Sequence, residues 1–267
     1  MSNPRFEACV KDQRNLFIPF IMAGDPHPDV TIELALILEE AGANVIELGI
    51  PYSDPLADGP VIQESAKRAL ANGTTLENAM GLVPKMRERG LTIPVVVFTY
   101  YNPLLQFGEE RFIAEAAKYG VDGLLVPDLP HEESESLRQM CHDNQISYIS
   151  LVAPTSNARI EMIASQAEGF LYCVSSLGVT GVRDHFDDKV YDFLSTVRKH
   201  STAPIAVGFG ISKREQVEAL APYCDGIIVG SAIIRLVEQN KELLINEKNR
   251  KEGLLKIKRY IESLISS

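Results

Sequence analysis

Short apolar runs alternate along the chain with longer polar stretches that carry helix signals. The runs occupy residues 16–21, 45–48, 93–98, 123–126, 148–152, 170–174, 205–207 and 226–229. Most are β-branched or aromatic and are bounded by Gly, Pro or Asp, which reads as strands of a parallel sheet buried on both faces. Between them, Asp29 is placed to cap a helix through Leu38 that stops at Gly42. Thr74 with Glu77, and Ser212 with Glu215, fit capping boxes. Pro84 falls inside the helix predicted over 76–89 and should kink or break it. Over 254–265, Leu254, Ile257, Ile261 and Leu264 share one helix face, and the neighbouring Lys and Arg side chains form its solvated side.

Eight strand signals alternating with helices predict an α/β protein, a single (β/α)8 barrel spanning 1–267. A doubly wound sheet would place a Gly-rich turn after an early strand, and neither Ile21 nor Leu48 is followed by one. The connections after strands two and six, from Leu48 to Ile93 and from Val174 to Ile205, are long enough to be lids on the catalytic face.

Composition narrows the function classes. The 267 residues are 45% hydrophobic and 23% charged, with a net charge of -10, which argues against a general grip on nucleic acid. The first apolar run is too short for a bilayer and no signal-peptide pattern precedes it, so a cytoplasmic protein is expected. Cys9, Cys141, Cys173 and Cys224 form no CxxC pair, and reduced thiols suit that compartment. His27, His131, His142, His185 and His200 are scattered, so no metal site is expected. None of the eight runs contains a lysine for a Schiff base.

Two constellations remain. Glu47 ends an otherwise apolar strand, where desolvation raises a carboxyl pKa toward the range useful for proton transfer. Asp54 and Asp58 follow in a loop stiffened by Pro51, Pro55 and Pro60. Turn chemistry accounts for aspartates beside Pro or Gly, so these residues alone favour function for Glu47 and leave Asp58 open. The second constellation pairs Gly208-Phe209-Gly210-Ile211-Ser212 with Val229-Gly230-Ser231-Ala232, after strands seven and eight. Glycine turns there, opening onto helix N-termini, are the recurrent phosphate site of such barrels. Gly178 to Gly181, after strand six, could add an amide and a mobile flap.

These segments, with 17–26 (FIPFIMAGDP), 47–63 (ELGIPYSDPLADGPVIQ), 126–130 (VPDLP), 178–181 (GVTG) and 230–233 (GSAI), resemble the tryptophan synthase alpha chain family in order over about 17–234. The resemblance implies cleavage of indole-3-glycerol phosphate into indole and glyceraldehyde 3-phosphate. It implies Glu47 and Asp58 as the catalytic acids, Glu47 the more buried. It further implies Phe20 against the indole, Tyr172 in the substrate pocket, Thr180 in a flap that meets Asp58 on closure, and Gly181, Gly210, Gly230 and Ser231 around the phosphate. Met22 stands where many relatives have Thr, which changes polarity beside the pocket. A pyridoxal phosphate-dependent beta chain is the implied partner in an alpha2beta2 complex, facing Pro55, Leu56, Asn102 and Pro103, and no cofactor is expected in this chain itself. Three other readings stay open on sequence: a stand-alone lyase releasing free indole, a non-catalytic subunit that activates its partner, and a different phosphate-binding barrel enzyme.

Overall fold

The structure is a computed structural model and describes residues 3–11, 13–174, 188–208 and 210–265. Its strands are β1 (Leu16–Met22), β2 (Ile46–Gly49), β3 (Val95–Phe98), β4 (Gly123–Leu125), β5 (Ser147–Tyr148), β6 (Leu151–Val152), β7 (Leu171–Val174), β8 (Ile205–Gly208) and β9 (Gly226–Val229). They pair in parallel in the order β5-β4-β3-β2-β1-β9-β8-β7-β6. The two outermost members are consecutive in the chain, separated only by Ile149 and Ser150. Ile149 N donates to Leu124 O at 2.8 Å, and Tyr172 N donates to Ser150 O at 3.0 Å. One strand therefore pairs on both sides and closes the sheet, so the nine segments make the eight staves of a (β/α)8 barrel.

Period-two alternation sorts the strand residues into two buried layers. In β1, Leu16 and Ile18 point into the barrel with Val45, Val96, Leu125 and Phe170. Phe17 and Ile21 point outward into the layer shared with the helices. This double burial is why the strands read as continuous apolar runs. Phe20 and Met22 continue the inward row toward the carboxyl end and pack with Ala66, Ala69 and Ile234. At the other end the helix Pro4–Cys9 closes the barrel floor, driving Phe6 into the inner layer.

Several local expectations shift. The helix Pro28–Glu40 is capped by the His27 ring, whose Nδ1 accepts from Asp29 N at 3.2 Å; Pro28 takes N1 and leaves Asp29 in the first turn, so Asp29 is not the cap. The first capping box is Thr75 with Asn78, one residue later than Thr74 with Glu77. The predicted break in 76–89 falls at Gly81, between helices Leu76–Met80 and Leu82–Glu88. Pro84 thereby lies in the first turn of the second helix, where its missing N–H costs nothing. The second box is anchored on Gln216, whose Oε1 accepts from Ser212 N and Lys213 N, both at 2.9 Å. The connection after β2 is mostly helix, Pro60–Ala71 and the two short helices, leaving 50–59 as its open loop. Of the connection expected to form the second lid, 188–200 is the helix Asp188–His200, and 175–187 lie outside the described residues.

Candidate active site

Glu47 lies on β2 in register with Phe20 of β1 and Val96 of β3. Ile46 and Leu48 belong to the outer layer, so alternation turns Glu47 inward. It does not end the strand, which continues through Leu48 and Gly49; it is wholly buried, and neither carboxylate oxygen has a hydrogen-bond partner. Burial pushes its pKa up to about 8. An acid in apolar surroundings without a cation or donor holds its proton at neutral pH.

Asp58 sits near the end of the 50–59 loop and is partly exposed. Internal bonds shape that loop: Asp58 N donates to Pro55 O at 3.1 Å, and Gln63 Nε2 donates to Asp58 O at 2.8 Å. Pro60 then starts the next helix at N1. Desolvation raises the Asp58 pKa to about 6, opposed by hydrogen bonding from the Tyr100 hydroxyl. The two acids thus differ in charge near neutrality, Glu47 protonated and Asp58 ionised.

A cavity of about 250 Å³ at the carboxyl ends of the strands brings together Phe20, Asp58, Tyr172, Gly210, Gly230 and Ser231. Glu47 does not line it. Tyr172, which does line it, has its phenol driven up by burial first and then by Glu47 and Asp58. The Phe20 ring meets Phe98 edge-on at 5.5 Å and 82°. A neighbouring cavity of about 390 Å³ shares Pro127, Leu151 and Val174 but neither acid. Thr180 and Gly181 lie outside the described residues.

The two glycine turns are not equivalent. After β8, the amides of Ser212 and Lys213 are taken by Gln216, so anion binding there would fall to the turn at Gly210, whose φ of +68 is left-handed. After β9, Gly230 caps the helix Ser231–Gln239 without a side-chain bond. Helix geometry leaves that helix's first amides pointing at the cavity mouth without intrahelical partners.

Sequence reasoning passed over Tyr100, buried one residue beyond Thr99 at the end of β3, although a polar residue at a barrel strand's carboxyl end is the available signal. Gly208, which opens the first glycine turn, has a packing role of its own. A Cβ there would come within 2.6 Å of the Tyr172 hydroxyl, so this glycine makes room for Tyr172. Gly49 does the same for the Phe20 ring. Among the described residues no group of three or more His, Cys, Asp or Glu could hold a metal ion. No helix among the described residues is long and apolar enough to cross a membrane.

The model of the family described as Tryptophan synthase alpha chain matches residues 6–262. The tryptophan synthase alpha chain of Halalkalibacterium halodurans is 64% identical over 263 residues, covering 98% of this chain and 99% of that one. That of Bacillus subtilis (strain 168) is 53% identical over 255 residues, with 96% of each chain covered. Among solved structures, a chain of the tryptophan synthase a2b2 complex from Pyrococcus furiosus superposes with a TM-score of 0.86 at 37% identity, covering 96% of this chain and 99% of that chain.

Proposed function

The chain belongs to the tryptophan synthase alpha chain family, and we propose that its Glu47 and Asp58 are the acids that cleave indole-3-glycerol phosphate. The reaction is that of a carbon-carbon lyase, yielding indole and glyceraldehyde 3-phosphate for tryptophan biosynthesis, and the partner is the beta chain of an alpha2beta2 complex. One observation carries the assignment of roles: two carboxyl groups at one end of the barrel, with environments that part their pKa values to about 8 and about 6.

Protonated Glu47 gives its proton to indole C3, which lets the ring accept the electrons of the bond to the glycerol phosphate side chain. The carboxylate left behind takes the proton of the adjacent hydroxyl as that bond breaks and the aldehyde forms. Ionised Asp58 holds the ring N–H and stabilises the positive charge that the ring carries between those steps. Phe20 packs on the indole, Tyr172 shapes the pocket, and Gly210, Gly230 and Ser231 receive the phosphate. Thr180 and Gly181 would close over the substrate and exclude water. The whole chain acts as one barrel domain in this reading. Its acid-base steps ask for no cofactor here, pyridoxal phosphate being the beta chain's, and the reading places the protein in the cytoplasm.

Release of glyceraldehyde 3-phosphate by the purified chain, alone and with a cognate beta chain, tests the reading. Slow turnover alone that rises steeply with the partner supports a coupled lyase. Equal turnover in both points to a stand-alone enzyme. Absence of turnover from folded protein in both would leave a non-catalytic subunit or another substrate. Glu47→Gln is expected to abolish turnover and retain substrate binding, because the amide keeps the shape and loses the transferable proton.

A further inference from the structure

Tyr100 follows β3 on the stave next to Glu47, and its side chain reaches the 50–59 loop rather than the cavity. It is 3% exposed and does not line the substrate pocket. Its hydroxyl oxygen accepts the Ala57 N–H at 3.0 Å. A phenol has one proton, and an oxygen already accepting from Ala57 keeps that proton free to give. The next residue in the chain is Asp58. The Tyr100 ring is wedged in place, 5.4 Å from the ring of Tyr52, whose own hydroxyl accepts from Asn102 Nδ2 at 3.0 Å.

We propose that Tyr100 is the positioning residue for Asp58, fixing the loop through Ala57 and presenting its single hydroxyl proton to the Asp58 carboxylate. Two observations beyond the Ala57 bond support it. Hydrogen bonding from Tyr100 opposes the desolvation of Asp58, keeping the acid on its ionised side near neutrality. Burial and the Asp58 charge both push the Tyr100 phenol up, so it stays a donor throughout the working pH range. Among the described residues, the titratable groups that face the pair are Tyr52, whose ring lies against Tyr100, Tyr172 from β7, which senses both Asp58 and Glu47, and Asp128, which acts on Tyr100. None of these is a cation that could hold Asp58 ionised in place of Tyr100.

The inference rests on the role proposed for Asp58 in lyase turnover, so its test separates the two. Tyr100→Phe keeps the ring and removes one oxygen, leaving the exposed Ala57 amide to water. A roughly 10-fold fall in kcat is expected, with KM within about 2-fold. The acid limb of the pH–rate profile should move up by about half to one pH unit, because a carboxylate that loses a donor is harder to ionise. In an Asp58→Asn background the same change should cost little. An unmoved acid limb, an undiminished penalty in the Asn background, or a loss confined to KM would each overturn the positioning role. Full turnover by Asp58→Asn alone would instead remove Asp58 from the mechanism, whatever Tyr100 does.

Discussion

At the scale of single residues, catalysis and stability pull Glu47 in opposite directions. Its carboxyl is buried with no partner, so the folded protein binds its proton up to about pH 8, whereas an unfolded chain releases it near 4.5. Below the unfolded value both states are protonated and ionisation of the site contributes nothing to stability. As pH rises toward the folded value, the unfolded chain gains by ionising and the fold loses stability. Glu47→Gln should therefore match the parent near pH 4 and exceed it by a few kcal/mol at pH 9, by urea denaturation at the two pH values. A variant no more stable at pH 9 would mean that water or a cation reaches the acid. The same environments set the rate profile. With Asp58 required ionised and Glu47 required protonated, kcat/KM should be bell-shaped, with limbs near pH 6 and pH 8. Loss of the alkaline limb alone would relieve Glu47 of its role as proton donor. Glycines act at this scale too. Gly208→Ala would force its new methyl into the Tyr172 hydroxyl, and raised KM with an intact fold is the expected result in steady-state kinetics.

At the scale of elements, the strands were legible because burial on both faces writes them as apolar runs, and the acid inside one such run stood out against its neighbours. Helix starts were less so. His27, Thr75 and Gln216 supply caps that residues one or two positions away can imitate, and only the fold decides between neighbours such as Thr74 and Thr75. The place of Tyr100 after β3 was legible, but its partner was not: the contact with Ala57 joins positions 43 apart, on loops that only the fold brings together. The same holds for Asp25, beyond β1. Its carboxylate receives Arg68 Nε and Nη2, both at 2.8 Å, and Ser65 Oγ at 2.5 Å, from the helix that follows the Asp58 loop. Arg68 also reaches Glu238 at 3.1 Å on the helix after β9. Removing a guanidinium from a buried aspartate strands its charge. Arg68→Ala should cost about 3 kcal/mol in urea titrations. A loss below about 1 kcal/mol, the worth of an exposed pair, would show that water replaces the arginine.

At the scale of the whole molecule, the two ends of the barrel have different work. The floor is sealed by charge as well as by Phe6: buried Asp122 takes Arg5 at 2.7 Å, Arg87 at 2.6 Å and Val95 N at 2.9 Å. The opposite end carries the acids, and there the loop after β2 leaves Leu56 86% exposed and the helix after β3 leaves Leu105 51% exposed. Large apolar side chains so exposed on adjacent staves suit a surface that another chain covers. Leu105 is the better probe, because Leu56 is two residues from Asp58 and its loss would be felt by catalysis directly. Leu105→Ser on the helix Tyr101–Phe107 should change stability by less than about 0.5 kcal/mol, as exposed substitutions do. Turnover without the partner should be unchanged, while the beta chain concentration that gives half-maximal stimulation should rise several-fold, since truncating a side chain buried by a partner removes its apolar contact area. Titrating beta chain into parent and variant at equal alpha concentration measures that shift. Superimposable titration curves would move the docking face away from the helix after β3, with the loop after β2 the next segment to probe.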